Sequence, residues 1–141
     1  MSELSRWLFL VGALPFLSLG AAHALATPLA PNDRKGLTPR DPALAGAMAT
    51  STVLLTRRTD MWLAWVGFNF SHSLGAITFG LFVLVIGRSP ASFTGQAALC
   101  VPLATAVAAI YVVIGMRYWF RTPIAGCMLS LVCFATSWAV A

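Results

Sequence analysis

Charge is what this chain has least of. Nine Lys or Arg and four Asp or Glu make up 9 % of its 141 residues, against roughly a quarter in an ordinary soluble domain. That is too little to clothe a water-facing surface, so a soluble globular domain is excluded. Catalytic patterns are equally scarce. No Ser-His-Asp set, P-loop, GxGxxG or HExxH occurs, and no carboxylate falls inside a long apolar run. No catalytic residue and no metal set is therefore expected. Cysteine is limited to Cys100, Cys127 and Cys133, without a CxxC, which gives no disulfide framework. All three read as small apolar core residues, with Cys127 and Cys133 on different sides of one helix. No nucleic-acid motif appears, so the net charge of +5 is read as membrane-flanking rather than as a nucleic-acid patch.

Hydrophobic residues, at 59 %, are abundant. A spanning helix needs about 20 mostly apolar residues, and Trp7–Ala26, Met61–Gly87, Ser89–Met116 and Thr122–Ala141 all qualify without a charge. A backbone in hydrocarbon must satisfy its own hydrogen bonds, and no alternating barrel pattern is present, so each stretch is read as a helix. The expected fold is all-α: a four-helix transmembrane bundle in one integral membrane domain, 1–141. Its spans are 7–27, 61–87, 93–116 and 122–141, with a long loop and a short interfacial helix between the first two, over 28–60. The first span has a second reading, as a cleaved signal peptide, because Arg6, a short apolar run and "AHALA" fit that pattern.

Eight of the charged residues lie between Thr27 and Asp60. "TPLAPNDRKGLTPR" is rich in turn formers. "DPALAGAMATSTVLL" then starts a helix, with Asp41 as cap and Pro42 in the first turn. Ala43, Leu44, Ala47 and Met48 form its apolar face. Arg34, Lys35, Arg40, Arg57, Arg58, Arg117 and Arg121 flank one membrane side, and Arg6 and Arg88 the other. This imbalance predicts a cytoplasmic loop with both termini outside. Trp62, Trp65, Tyr118, Trp119 and Phe120 on one side, and Trp7 and Trp138 on the other, read as interfacial belts.

The second span carries "GFNFSHSLG", from Gly67 to Gly75. Gly67, Ser71 and Gly75, extended by Gly80, form a small-residue stripe for helix packing. Trp65, Asn69 and His72 share a neighbouring polar face, with Ser73 beside it. His23, near the end of the first span, is the one other histidine. At 1.5 Å per residue, His72 lies about 16 Å and His23 roughly 6 Å from the loop-side ends of their helices. That difference of about 10 Å argues against haem held by both histidines. Ionisable groups inside a membrane mark a functional pocket by default. His72, Asn69, Ser73, His23 and Trp65, with Arg117 at the end of the third span, are therefore the candidate ligand-binding residues. The alternative is a neutral His72 hydrogen-bonded to Asn69, Ser73 or a carbonyl, in a purely structural contact.

The run "PRDPALAGAMATSTVLLTRRTDMWLAWVGFNFSHSLGAITFGL", the later "RYWFRTP" and a histidine near the end of the first span resemble a family of small bacterial four-helix membrane proteins. Arg40, Asp41, Met48, Thr56, Arg57, Trp62, Trp65, Asn69, His72, Ser73, Gly75, Tyr118 and Trp119 fall on its pattern. The family is broadly similar to DoxX-like proteins. The likeness covers nearly the whole chain and implies a fold and a residue set, but no reaction. The leading expectation is a multi-pass protein of the bacterial inner membrane, acting as a non-catalytic accessory or interaction subunit. Its partners would be the lipid bilayer and other membrane subunits or further copies of itself, with no nucleic acid and no obligatory cofactor. The alternative expectation is a protein that binds lipid, quinone or haem around His72.

Overall fold

The fold is that of a computed structural model, which describes residues 2–141. Its order is α1 (Glu3–Ala26), α2 (Pro42–Thr50), β1 (Thr52–Val53), β2 (Thr56–Asp60), α3 (Met61–Gly87), α4 (Pro90–Tyr118) and α5 (Arg121–Ala139). α1, α3, α4 and α5 are each long and apolar enough to cross a membrane. The all-α class and the four spans agree with the sequence reading, and α3 has the expected limits. α1 starts four residues before the expected span, and takes in Glu3 and Arg6. Those charges are tolerated because Arg6 Nη2 donates to Glu3 Oε2 at 2.7 Å one turn away, while Nη1 donates to the Gly87 carbonyl at 3.1 Å. A cation at the last carbonyl of α3 also complements that helix's dipole.

The chain divides into two compact units. One contains the residues up to Leu19 together with Ala76–Ala141, and the other is Gly20–Gly75. In the first unit the four long helices pack through a narrow lane of small residues. On α4 the buried positions are Phe93, Ala97, Val101, Ala104, Ala108, Val112 and Gly115. Their three- and four-residue steps keep one seam facing inward. On α5 the seam is Cys127, Ser130, Cys133, Phe134 and Ser137. Cys127 and Cys133 are thus both buried, because this seam is broader than a single line of side chains. Lipid is as apolar as leucine and does not drive helices together, so close approach and interhelical hydrogen bonds must. Rings from all four helices fill the space between the small residues. Phe16 meets Phe79 at 4.7 Å and Tyr111 at 5.3 Å, and Phe9 meets Phe93 at 5.4 Å and Phe134 at 5.7 Å. Large apolar side chains such as Leu14, Phe82, Leu99 and Val113 point outward, as lipid requires.

At the start of α1 and the end of α5, two serines clasp each other. Ser5 Oγ lies 2.8 Å from the Ser137 carbonyl, Ser137 Oγ lies 2.8 Å from the Ser5 carbonyl, and both residues are fully buried.

The second unit holds the end of α1, the loop, α2, the hairpin and the first half of α3. Asp33 folds the loop back by accepting the Leu29 and Ala30 N–H groups at 2.9 and 3.2 Å. Those two bonds, helped by nearby Lys35, hold its carboxyl below the usual carboxylate range. Asp41 caps α2 through the Ala43 N–H at 2.9 Å, with Pro42 at the first helical position, as the sequence predicts. The apolar face differs: Ala43, Leu44 and Ala47 are exposed, and Ala45 is buried. In "PALAGAMAT" apolar residues occur on every side, so Ala45, Met48 and Ala49 make an equally good stripe, and packing selects it. The β-hairpin over 52–60 has no counterpart in the sequence reading.

A double-mutant cycle on Ser5→Ala and Ser137→Ala tests the clasp. The expected coupling in detergent unfolding is about 0.6–1.7 kcal/mol, the range of buried interhelical polar contacts. Independent, additive losses would remove the clasp from the account.

Candidate functional site

The polar residues of "GFNFSHSLG" separate by helical phase. On α3 the buried line runs Asn69, Ser73, Ala76, Gly80, Val83 and Gly87, with His72 half-buried beside it. This line is shifted one position from the expected centre on Asn69 and His72.

Asn69 joins α3 to α1. Its Nδ2 donates to the Trp65 carbonyl at 2.8 Å, one turn back. A carbonyl can only accept, so this bond turns the amide oxygen away, toward α1. There Oδ1 lies 2.8 Å from His23 Nε2. His23 Nε2 must therefore carry the proton and donate it, which leaves Nδ1 as the acceptor atom while the ring is neutral. The His23 and His72 rings are 5.0 Å apart between centroids, inclined at 62° in an edge contact. Phe68 stacks against His72, with ring centroids 6.4 Å apart and planes inclined at 17°. Ser73 is buried, and its hydroxyl donates to the Asn69 carbonyl at 3.0 Å. Thr27, also buried, closes the end of α1 by donating Oγ1 to the His23 carbonyl at 2.8 Å. Trp65 packs on Trp62 at 5.6 Å, and Trp62 Nε1 donates to the Leu29 carbonyl at 3.5 Å.

The two histidines are thus in contact, and the expected depth gap of about 10 Å is corrected. That figure assumed helix ends at one level. The Trp62–Leu29 bond sets the second residue of α3 against a residue three beyond the end of α1. Three non-helical residues cover up to about 10 Å, against about 4.5 Å in a helix. Helical side chains also lean toward their own N-terminus. In these antiparallel segments that brings His72 toward the loop end and carries His23 away from it, so each closes the gap. Asn69 bonds His23, and the Ser73 hydroxyl bonds within its own helix.

With the depth gap gone, the argument against haem passes to the contact itself. Axial ligation from both faces needs a macrocycle between the rings, and here one ring's edge meets the other, with His23 Nε2 already held by Asn69. The pair as arranged does not fit that group. Among the described residues no three His, Cys, Asp or Glu side chains gather as a metal set.

Arg117 is exposed in the first unit, 5.9 Å from the Tyr118 ring centroid. Within this chain the expected packing stripe is mostly unused. A Cβ at Gly67 or at Gly75 would meet nothing within 4 Å, and exposed Ser71 turns its hydroxyl to the Phe68 carbonyl at 2.9 Å. Gly80 alone makes a close contact, for a Cβ there would lie 2.7 Å from Leu17 and 3.2 Å from the Ala13 carbonyl. Thr27, Trp62 and Phe68 support the histidines without having been singled out as site residues. Thr27 is four residues past His23, the spacing at which a threonine reaches back to a helical carbonyl.

No family model matches the chain, and neither a curated protein nor a solved structure matches it.

Two outcomes are expected. Replacing Asn69 by Leu strands the His23 donor and costs about 1–3 kcal/mol of unfolding free energy. It also abolishes the single Nε2–H tautomer that 15N NMR should find for His23 in the parent; an Nδ1–H tautomer there would refute the assigned geometry. Gly80→Val overpacks the α1–α3 contact and costs about 1–3 kcal/mol, whereas Gly67→Ala and Gly75→Ala are neutral or slightly stabilising, since alanine favours the helix by up to about 1 kcal/mol.

Proposed function

We propose that this chain is a binding protein of the membrane rather than an enzyme, and that it holds the polar head of a membrane-soluble ligand at His23 and His72. The observation that carries this reading is the Asn69-oriented His23 ring in edge contact with His72, both half-buried within a span. Polar groups at that depth are costly unless they are used. Asn69 fixes which nitrogen of His23 donates, so Nδ1 is set to accept a hydrogen bond from a ligand hydroxyl or N–H. A lipid or quinone head suits such a pair, for it enters from the bilayer and needs few directional bonds. The reading stops at binding: the neighbouring Thr27 and Ser73 hydroxyls are already held by backbone carbonyls.

A second reading, an accessory subunit of a membrane complex or a homo-oligomer, draws on the open stripe of Gly67, Ser71 and Gly75, whose small side chains admit another helix closely. The basic loop supports a cytoplasmic position for residues 28–60 with both termini on the other side. The resemblance to small bacterial membrane proteins, broadly similar to DoxX-like ones, supports the inner membrane as the location.

The test is native mass spectrometry with absorption spectra on protein extracted in mild detergent. A bound amphipathic molecule is expected on the parent and lost from His23→Phe and His72→Phe variants that keep their helicity. Identical adducts on all three proteins would reject the binding reading. A co-purifying protein lost on Gly75→Leu, with no small molecule, would establish the subunit reading in its place.

A further inference from the structure

The β-hairpin has the wrong residues at its turn. Two-residue hairpin loops favour turn types that need positive φ, and hence Asn, Asp or Gly. Here Leu54 and Leu55 link Val53 to Thr56, and no described residue has positive φ. The strands pair poorly as a result. Thr52 opposes Asp60, Val53 opposes Thr56, and the register breaks between, so Arg57, Arg58 and Thr59 bulge with no residue of β1 opposite them. A two-stranded ribbon of this kind is marginal in water on its own. Its tip is also unburied: Leu54 and Leu55 are 109 % and 95 % exposed. Leaving two leucines in water forgoes the favourable transfer that burying them would bring. A local choice that contradicts both turn chemistry and burial points to a function.

The charges of the unit that carries this tip are one-sided in effect. Each carboxylate of the second unit is engaged with backbone N–H groups: Asp33 with Leu29 and Ala30, Asp41 with Ala43, and Asp60 with Leu63 at 2.8 Å. Among the described residues the one ion pair is Glu3–Arg6, in the other unit. Arg34, Arg40, Arg57 and Arg58 are therefore exposed cations without an ion-pair partner. The hairpin is also tied to the membrane boundary. Met61 N donates to the Ser51 carbonyl at 2.8 Å, and Trp62 and Trp65 follow in the first turns of α3, where interfacial aromatics belong. The five residues of β2 reach at most about 17 Å from that level, within range of the head-group layer.

We propose that the hairpin tip is a lipid finger. Leu54 and Leu55 insert into the interfacial layer of the bilayer that the helices cross, and Arg57 and Arg58, beside them in β2, bind the phosphates of anionic phospholipids. The inference is independent of the histidine site.

The full-length protein in nanodiscs tests it. An environment-sensitive fluorophore is attached at Leu54→Cys in a chain whose three native cysteines are replaced by Ala. Its emission should shift to the blue when phosphatidylglycerol is added to phosphatidylcholine discs. Arg57→Gln with Arg58→Gln should remove the shift, and the two Lys replacements should keep it. Water-like emission in both discs overturns the proposal and leaves a protein as the occupant. A shift indifferent to anionic lipid overturns it too. Because Cys127 and Cys133 are buried, a second readout leaves them in place. In native mass spectrometry from mixed-lipid discs, the ratio of retained phosphatidylglycerol to phosphatidylcholine should fall roughly fivefold per arginine replaced by Gln, about 1 kcal/mol each near an anionic surface. An unchanged ratio overturns the proposal.

Discussion

Helices in hydrocarbon gain nothing from hiding apolar surface, so everything here depends on how closely their backbones can approach. The buried alanines and Gly115 along α4, and Gly80 on α3, permit that approach. Interleaved Phe and Tyr rings then restore the density that small residues would leave wanting. Each ring contact contributes roughly 0.5–1.5 kcal/mol beyond its area, and it does so only because the lane between helices is narrow. The same logic explains why so few polar side chains suffice. Ser5, Ser137 and Asn69 each make bonds that cross from one helix to another, in surroundings where water does not compete freely.

The scarcity of acid has a second effect. With four carboxylates in the chain, and three of them capping backbone N–H groups in the loop unit, almost none is left to neutralise arginine. Local folding and surface charge are thereby linked. The aspartates that shape the loop are withdrawn from ion pairing, and the loop's basic character follows from its own turn chemistry.

The sequence makes the spans and the caps legible because length, absence of charge, and Asp-Pro at a helix start are local signals. Cys127 and Cys133 are legible as core residues on the same footing. The contact between His23 and His72 is not, because it depends on where α3 begins relative to the end of α1, which the Trp62–Leu29 bond sets across 33 residues. The choice between Gly80, which packs, and Gly67 and Gly75, which face open space, is equally nonlocal, since helical phase names the stripe but not its neighbour. The hairpin is hidden for a further reason: Leu54 and Leu55 carry none of the turn chemistry by which hairpins are read.

The Ser5–Ser137 clasp joins residues 132 apart in the chain. A membrane protein is made from its N-terminus and threaded into the bilayer helix by helix. When α1 enters, the hydroxyl that will close the bundle has no counterpart, and it acquires one only when the last helix is delivered. The seam between first and last helices is therefore the final one to form. Until synthesis reaches Ser137, the nascent bundle lacks that seam, and the first helix is held only by its earlier neighbours.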